Sequence, residues 1–368
     1  MKLPTKLLLA SIYFIAFNAL SGAHIETKLT TKQVVEKLDH YLKAQVKKDT
    51  FSGNVLVAKK GKILYQASFG EASKRFNVKN NLETKFNLGS MNKMFTAVAV
   101  MQLVESEKLK LTDTLDKFVD ETWLPKSISK KIQIQHLLTH SSGLNNYFNR
   151  TFMGDSKRRY RNLNDFKPLV VDDPLQFEPG TSNSYSNTGM LMLGVVIEKV
   201  SGDNYFNYID KHIYQRASMV NSGSFEMEQP VPNLAIGYEP SNKNKTGWTN
   251  NLFLHVVKGG PAGGGFSTLA DMHHFALALT KYELLNQALT EQVYSAKPNF
   301  HSPNYGYGFN VSGTEGNRII GHRGGFPGIL ANLSIYLDSD YISVVLSNYG
   351  RSAQPVVTEI NRLISLIE

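Results

Sequence analysis

Ser90 and Lys93 stand three residues apart at the start of an apolar stretch, a spacing that can support acyl transfer. The apolar positions around them recur every three or four residues, which predicts a helix: Met91, Met94, Phe95, Val98 and Met101. Side chains three apart are neighbours on a helix, and a first-turn serine has a backbone N–H free to stabilise an oxyanion. A buried lysine beside it would lose affinity for its proton and could accept that of the serine.

This chemistry requires Lys93 to be buried. Lowering the pKa of a lysine from about 10.4 to near 7 takes about 4–5 kcal/mol, which an exposed helix surface cannot supply. Serine and lysine at this spacing are common, and the alternative reading is a helix cap followed by a solvated lysine. The motifs that follow along the chain favour the catalytic reading.

Tyr185 and Asn187 lie two residues apart in a polar stretch that precedes another apolar helix. In a turn or extended segment their side chains can converge on one site, where a phenol relays a proton and an amide both donates and accepts. The alternative is a tyrosine packed on the helix with the asparagine as its cap.

His322, Gly324 and Gly325 follow a predicted strand over 318–322. Glycines there let a substrate approach the backbone, and a free N–H of the strand could complete an oxyanion hole. A structural role for the histidine is the alternative. The glycine-rich stretch 259–265 lacks the Gly-Lys-[Ser/Thr] ending of a phosphate loop, so nucleotide binding is not expected there.

Taken in order, Ser90-x-x-Lys93, Tyr185-x-Asn187 and His322-x-Gly324 resemble the three active-site motifs of the serine β-lactamase and penicillin-binding-protein superfamily. The similarity is greatest to the class C β-lactamase-like branch, which includes DD-carboxypeptidases, esterases and D-amino-acid peptidases. The stretches 136–144, 177–189 and 261–272 also look like blocks of this family, so the resemblance covers about residues 33–366.

The resemblance implies a role for each motif residue. Ser90 is the implied acylated nucleophile, Lys93 and Tyr185 exchange its proton, and Asn187 holds the acyl side of the substrate. His322 takes the place of the lysine in the usual Lys-Thr-Gly motif, and the N–H groups of Ser90 and Gly325 form the implied oxyanion hole. Which of Lys93 and Tyr185 is the acylation base stays open. No cofactor is implied, and no metal-ligand spacing is compelling.

A literal Lys245-Thr246-Gly247 occurs nearer to Tyr185, but in a polar stretch with no strand pattern, so His322 is preferred. A histidine is mostly neutral at pH 7 and attracts a substrate carboxylate weakly. Arg323 could restore a cation, although alternate strand residues face opposite sides. We therefore expect a hydrolase of small esters, amides or cell-wall-type D-amino-acid peptides. A true β-lactamase, or a penicillin-binding protein that acylates with little turnover, remains the alternative.

The remaining segments predict an α+β fold. A helix over 31–47 and a β-hairpin over 54–67 begin the chain, while four short strands between 307 and 347 and a helix over 356–367 end it. The simplest architecture is one antiparallel sheet from both ends (about 32–75 and 300–368), covered by the terminal helices, with a mostly helical region inserted over about 76–299. Within that region, 150–174 reads as a basic, irregular surface excursion, and Ser267 as the cap of a helix that ends near Thr280.

Residues 1–23 read as a secretory signal, with Lys2 and Lys6 before an apolar run too short to span a bilayer. Residues 24–368 would form the mature hydrolase, exported to a bacterial periplasm or the medium and without an integral membrane segment. The absence of cysteine excludes disulfides. The formal charge of +9 falls to +7 without Lys2 and Lys6, and the scattered lysines argue against nucleic-acid binding. The expected partner is a small-molecule or peptide substrate such as a peptidoglycan fragment or a β-lactam.

Overall fold

The computed structural model describes residues 28–243, 245–350 and 352–367, so the secretory signal expected over 1–23 lies outside the described residues. The α-helices are α1 (Thr31–Lys47), α2 (Asn92–Glu105), α3 (Lys126–Ser129), α4 (Ile134–Leu138), α5 (Arg150–Gly154), α6 (Asn187–Ser201), α7 (Tyr205–Ile209), α8 (Leu269–Thr280), α9 (Gln287–Tyr294) and α10 (Ala353–Ser365). Short 3₁₀ segments and one π-helical segment (Asp210–Tyr214) lie between them. None of these helices is long and apolar enough to cross a membrane.

The strands of the main sheet come from the two ends of the chain. They are β1 (Gly53–Lys59) and β2 (Lys62–Phe69) near the start, and β9 (Asn310–Ser312), β10 (Ile319–Phe326), β11 (Ile329–Tyr336) and β12 (Tyr341–Ser347) near the end. The order is β2-β1-β12-β11-β10-β9, with every neighbouring pair antiparallel. Val55 of β1 stands opposite Val345 of β12. The predicted α+β fold, with one antiparallel sheet built from both termini, is therefore confirmed.

The alternation of side chains along each strand gives the sheet two buried faces. Val55 and Val57 pack with α1 and α10 in one core, while Leu56 and Ala58 join the larger core beneath the inserted helices. Helix α1 begins at the expected place because Thr30 and Gln33 form a reciprocal capping box. The sheet is thus a central layer between the terminal helices and the inserted region.

The expectation that 150–174 forms a surface excursion holds for its exposed positions but misses its buried ones. The segment is irregular, with α5 and the 3₁₀ helices Lys157–Arg159 and Leu163–Leu169, but its apolar side chains enter the main core. Phe152, Tyr160 and Phe166 are all buried there. The lysines and arginines between them mask an apolar spacing that no single helical period describes.

Smaller departures concern boundaries. Helix α8 is capped by Thr268, which accepts from the N–H of Asp271, and not by Ser267. Strand β10 continues through the glycines to Phe326 because β11 pairs with it along its whole length. Three two-stranded sheets lie outside the main sheet: β3 (Glu71–Ser73) with β4 (Val78–Lys79), β5 (Phe86–Asn87) with β8 (Phe266–Ser267), and β6 (Tyr238–Pro240) with β7 (Trp248–Asn250).

Candidate active site

Helix α2 is the buried centre of the inserted region. Every residue from Asn92 to Leu103 is buried, so the helix is buried all round and not along one face as its spacing predicts. Lys93 lies in its first turn and is 0% exposed. The condition that the sequence set for the lysine, complete removal from water, is therefore met.

Ser90 lies one turn earlier, in the 3₁₀ segment Gly89–Met91 that leads into α2. The first backbone bond of this turn runs from the Met91 N–H to the Leu88 carbonyl at 3.2 Å. The N–H of Ser90 precedes that bond and so has no acceptor within the turn. Gly89 enters the turn at φ 50°, a left-handed conformation that favours glycine, and its N–H donates to Asn87 Oδ1 at 2.8 Å.

Strand β10 passes directly against this turn, backbone to backbone. A Cβ atom on Gly324 would lie 1.8 Å from the Leu88 carbonyl oxygen and 3.1 Å from the Ser90 nitrogen. A Cβ atom on Gly89 would lie 3.0 Å from the Gly325 nitrogen. Only glycine at 324 permits this approach, and it brings the N–H groups of Ser90 and Gly325 onto adjoining backbone segments.

The buried amine of Lys93 is held by two neutral oxygens. Its Nζ donates to Asn187 Oδ1 at 2.7 Å and to the carbonyl of Ala262. Burial lowers the pKa of Lys93 well below its usual value, with no carboxylate of the described residues opposing the shift. Two acceptors match the two N–H bonds of a neutral amine, which leaves its lone pair available.

Tyr185 and Asn187 are positioned by the stretch that precedes α6. The N–H of Ser186, the N-cap of α6, donates to His140 Nδ1 at 3.3 Å, and the hydroxyl of Ser186 donates to the Asn145 carbonyl at 2.7 Å. Asn187, at the start of α6, donates from Nδ2 to Asn146 Oδ1 at 3.1 Å, which turns its Oδ1 towards Lys93. A segment more than 40 residues earlier therefore fixes the second motif.

Tyr185 contacts both members of the first motif. Its hydroxyl hydrogen-bonds with Ser90, and Lys93 Nζ lies 4.8 Å from the centre of its ring. Burial of the hydroxyl end raises the pKa of Tyr185 to about 12, against the hydrogen bond with Ser90 and the charge of Arg323, although 43% of the residue as a whole is exposed. Tyr185 thus connects Ser90 to Lys93.

A cavity of about 260 Å³ opens over Ser90. Ser90, Tyr185, Asn187 and Gly325 reach it from the predicted motifs. Its other walls are mostly apolar or backbone and are formed by Asn87, Gly89, Tyr147, Phe148, His255, Val256, Ala262, Gly263, Gly264, Phe326 and Ile329. No group of acidic, histidine or cysteine side chains among the described residues could hold a metal ion.

This arrangement of a serine, a buried lysine, a tyrosine and a glycine-lined strand agrees with a comparison against protein-family models. The model described as Beta-lactamase matches residues 34–365. The chain belongs to the β-lactamase family.

Individual members of the family are similar over most of the chain. A penicillin-binding protein of Bacillus subtilis (strain 168) is 30% identical over 82% of this chain and 69% of its own length. A teichoic acid D-alanine hydrolase of Staphylococcus aureus is 27% identical over 85% of this chain and 73% of its own. The crystal structure of a penicillin-binding protein from Bacillus halodurans has a TM-score of 0.78 and 31% identity, covering 92% of this chain and all of that one. The chain is thus of the serine-hydrolase type that these β-lactamase-related proteins represent.

Within this family fold, His322 lies behind the cavity and not in its wall. It is only 4% exposed and does not line the cavity. Its Nδ1–H donates to the Arg323 carbonyl at 2.7 Å, so Nε2 accepts from the Tyr305 hydroxyl at 3.1 Å. Burial and the nearby Lys93 lower the pKa of His322 to about 3, which makes it a neutral ring at pH 7. It contacts Tyr185 only indirectly, through the rings of Tyr305 and His140.

Arg323 and Lys245, the two cations considered for the third motif, both lie outside the cavity. Arg323 is exposed and donates to Gln354 of α10 at 3.1 Å. Lys245 is exposed in the turn between β6 and β7 and does not line the cavity. Neither of them enters the space over Ser90.

Several residues that the motifs did not indicate complete the site. Ala262 supplies a carbonyl to Lys93, and Gly263 and Gly264 let its loop pack on Gly89; the Gly264 N–H donates to the Gly89 carbonyl at 3.1 Å. The glycine cluster 259–265 was the sequence signal for this loop, but the sequence did not indicate that the loop contacts Lys93 and Gly89. His140 was expected to be structural, and the structure places its ring 4.5 Å from that of Tyr185.

Proposed function

We propose that this protein is an exported serine hydrolase that forms an acyl-enzyme on Ser90. Its proposed substrates are small esters or amides, including D-amino-acid and cell-wall-type peptides. The observation that carries the proposal is the fully buried Lys93, held by Asn187 and Ala262 beside a tyrosine that hydrogen-bonds with Ser90. A lysine in this environment has lost the water that would keep it protonated.

Proton transfer would begin with Lys93 as a neutral amine. The pKa of Lys93 is lowered and that of Tyr185 is raised, and both shifts favour an amine beside a phenol. Tyr185 would then donate its own hydroxyl proton to Lys93 and accept the proton of Ser90 Oγ in exchange. The three groups titrate together, and the proton belongs to the group as a whole.

Acylation would follow in four balanced changes. Ser90 Oγ forms a bond to the substrate carbonyl carbon, and the carbonyl π electrons move to oxygen, which the N–H groups of Ser90 and Gly325 would stabilise. The oxyanion electron pair then re-forms the carbonyl as the bond to the leaving group breaks, and the proton held by Lys93 and Tyr185 moves to that group. Water repeats the sequence on the acyl-enzyme, releasing an acid and restoring Ser90.

The relatives support this choice of substrates without fixing it. One is named as a teichoic acid D-alanine hydrolase, and others are named as penicillin-binding proteins. Their β-lactam ligands make a true β-lactamase, or a slowly deacylating penicillin-binding protein, the alternative outcomes of a direct test.

Intact mass spectrometry of the mature protein separates these outcomes. The protein is incubated with p-nitrophenyl acetate or benzylpenicillin, beside a Ser90→Ala variant, and adducts and products are followed together. We expect Ser90-dependent release of p-nitrophenol, with an acetyl adduct on the wild type only. A persistent penicilloyl adduct would identify a penicillin-binding protein, and hydrolysed penicillin a β-lactamase. Equal ester hydrolysis by wild type and Ser90→Ala would contradict the proposal.

A further inference from the structure

One wall of the cavity over Ser90 is a row of four rings from three separate parts of the chain. Tyr147 and Phe148 lie 4.9 Å apart between ring centres, Phe148 and Phe326 6.0 Å, and Phe326 and His255 5.9 Å. All four line the cavity. We call these residues, Tyr147, Phe148, His255 and Phe326, the aromatic wall.

The aromatic wall is anchored from behind and is therefore preformed. Tyr147 packs on Phe152 and Phe166 at 5.6 and 4.9 Å, and both of these rings are buried side chains of the segment 150–174. Its own N–H donates to the Thr188 hydroxyl at 2.9 Å, which joins it to α6. Rings held on both sides in this way lose little further freedom when a ligand binds.

The His255 end of the aromatic wall is tied to the same segment by ion pairs. Arg161 pairs with Glu226 and Glu228, and Lys258 pairs with Glu226 at 3.5 Å. These contacts connect the segment that supports Tyr147 to the chain just after His255. These charged side chains pair with one another and do not line the cavity.

The described residues that line the cavity include no side chain with a formal charge. His255 is 7% exposed, and its burial lowers its pKa to about 4, so it is neutral at pH 7. Lys93 directs its donors to Asn187 and Ala262, and Arg323 contacts Gln354. A carboxylate placed against the wall would lose water without gaining a cationic partner, whereas an apolar ring would lose water favourably and meet other rings edge to face.

Resting on the function proposed above, we infer that the aromatic wall is the acyl-group subsite and selects uncharged substrates whose acyl group carries an aromatic ring or a bulky apolar chain. The assignment to the acyl group rests on Asn187, which lines the same cavity and for which the family resemblance implies contact with the acyl side of the substrate. Substrates with an acidic acyl group are disfavoured.

A series of p-nitrophenyl esters tests this because the leaving group stays constant. The acetate, phenylacetate, butyrate and hemisuccinate are compared by kcat/KM, each corrected for spontaneous hydrolysis and for the rate with Ser90→Ala. We expect phenylacetate to exceed acetate by about tenfold or more, the scale on which apolar pockets discriminate. The hemisuccinate should fall below the butyrate, which has a chain of the same length and no charge.

Variants assign the preference to the wall. Phe326→Ala should lower the phenylacetate-to-acetate ratio about tenfold, and Phe148→Ala should lower it in the same direction. Phe326→Leu keeps an apolar side chain and serves if the alanine variant does not fold. Phe76→Ala removes a phenylalanine that is 70% exposed and lies outside the cavity, and it should leave the ratio unchanged.

The outcomes separate the inference from the proposed function. Ser90-dependent hydrolysis with no preference for phenylacetate, or with hemisuccinate equal to or better than butyrate, overturns the inference and leaves the function standing. The absence of Ser90-dependent hydrolysis for every ester overturns both. The expected ratios, lost in Phe326→Ala and kept in Phe76→Ala, support both.

Discussion

The two sides of the space around Ser90 differ in the ionisable side chain that each of them buries. On the α2 side, Lys93 is a basic side chain buried completely among neutral acceptors, and burial lowers its pKa. On the β10 side, the position where the family resemblance implies a lysine holds His322, a buried ring whose pKa is lowered to about 3. The lysine therefore lies on the side where we propose that a proton moves, and neutral groups lie on the side where a substrate anion would otherwise bind.

The two sides also differ in how they are made. The α2 side depends on a local turn and on the burial of one helix, whereas the β10 side depends on two backbones passing within contact distance at Gly324. A substitution on the α2 side should therefore remove a proton acceptor, whereas a substitution on the β10 side should displace the backbone that positions Ser90. The following predictions test that difference, beginning with the largest effect.

Replacement of Lys93 should abolish acylation while preserving the fold. Lys93→Ala and the better space-filling Lys93→Met remove the proton acceptor, and we expect acylation of Ser90 to fall by at least about a thousandfold. The thermal midpoint of Lys93→Met should be unchanged or higher, because a buried ionisable group no longer has to stay deprotonated. Stopped-flow acylation and calorimetry measure the two effects. A full-rate Lys93→Met enzyme would show that Lys93 is not the base.

Gly324→Ala should damage the site through sterics alone. The added methyl group would lie 1.8 Å from the Leu88 carbonyl oxygen, so β10 must move away from the turn that carries Ser90. We expect a loss of at least about a hundredfold in kcat/KM together with a lower thermal midpoint. The matched control is Gly154→Ala, where an added Cβ meets no atom within 4 Å and both quantities should stay near wild type. Equal behaviour of the two variants would refute the close approach.

His322→Ala should lower kcat/KM more than Lys245→Ala does. His322→Ala removes the acceptor of the Tyr305 hydroxyl and loosens the rings that support Tyr185, so we expect at least about a tenfold loss in kcat/KM. Lys245→Ala alters an exposed turn and should stay within about twofold. The opposite order of the two variants would mean that Lys245 belongs to the third motif.

Acid should destabilise the protein through its buried histidines. The pKa values of His322 and His255 are lowered to about 3 and about 4, so between those values and about 6.5 the unfolded state binds more protons than the folded state. The contribution of these histidines to the free energy of unfolding is therefore fully present above about pH 6.5. It decreases as the pH falls, by at most about 1.4 kcal/mol per pH unit for each histidine.

Denaturant unfolding between pH 7.5 and 4.5 checks this slope. The slope should become shallower in His322→Gln, which cannot gain a proton. The control is His301→Gln, whose histidine is exposed and which should retain the wild-type slope. An unchanged slope in His322→Gln would argue that His322 is already protonated in the folded protein.

Much of the fold was readable because its signals are local. The capping box at Thr30 and Gln33, the glycine turn between β1 and β2, and the stop of α6 at Gly202 all act within a few residues. The segment 150–174 was misjudged because its core residues follow no regular period. The strand β10 was cut short because glycines usually end strands, and here pairing with β11 carries the strand through them.

By itself the sequence determined the order and local spacing of the motifs, and so which side chains enter the site from α2 and α6. Ser90 and Lys93 are neighbours by helical geometry, whatever surrounds them. Only the tertiary structure decided that Lys93 is buried, that Ala262 meets it, and that His322 faces Tyr305 while Phe148 and Phe326 face the cavity. The physical reason is that burial, and the pKa values and selectivity that follow from it, depend on contacts between residues far apart in the chain.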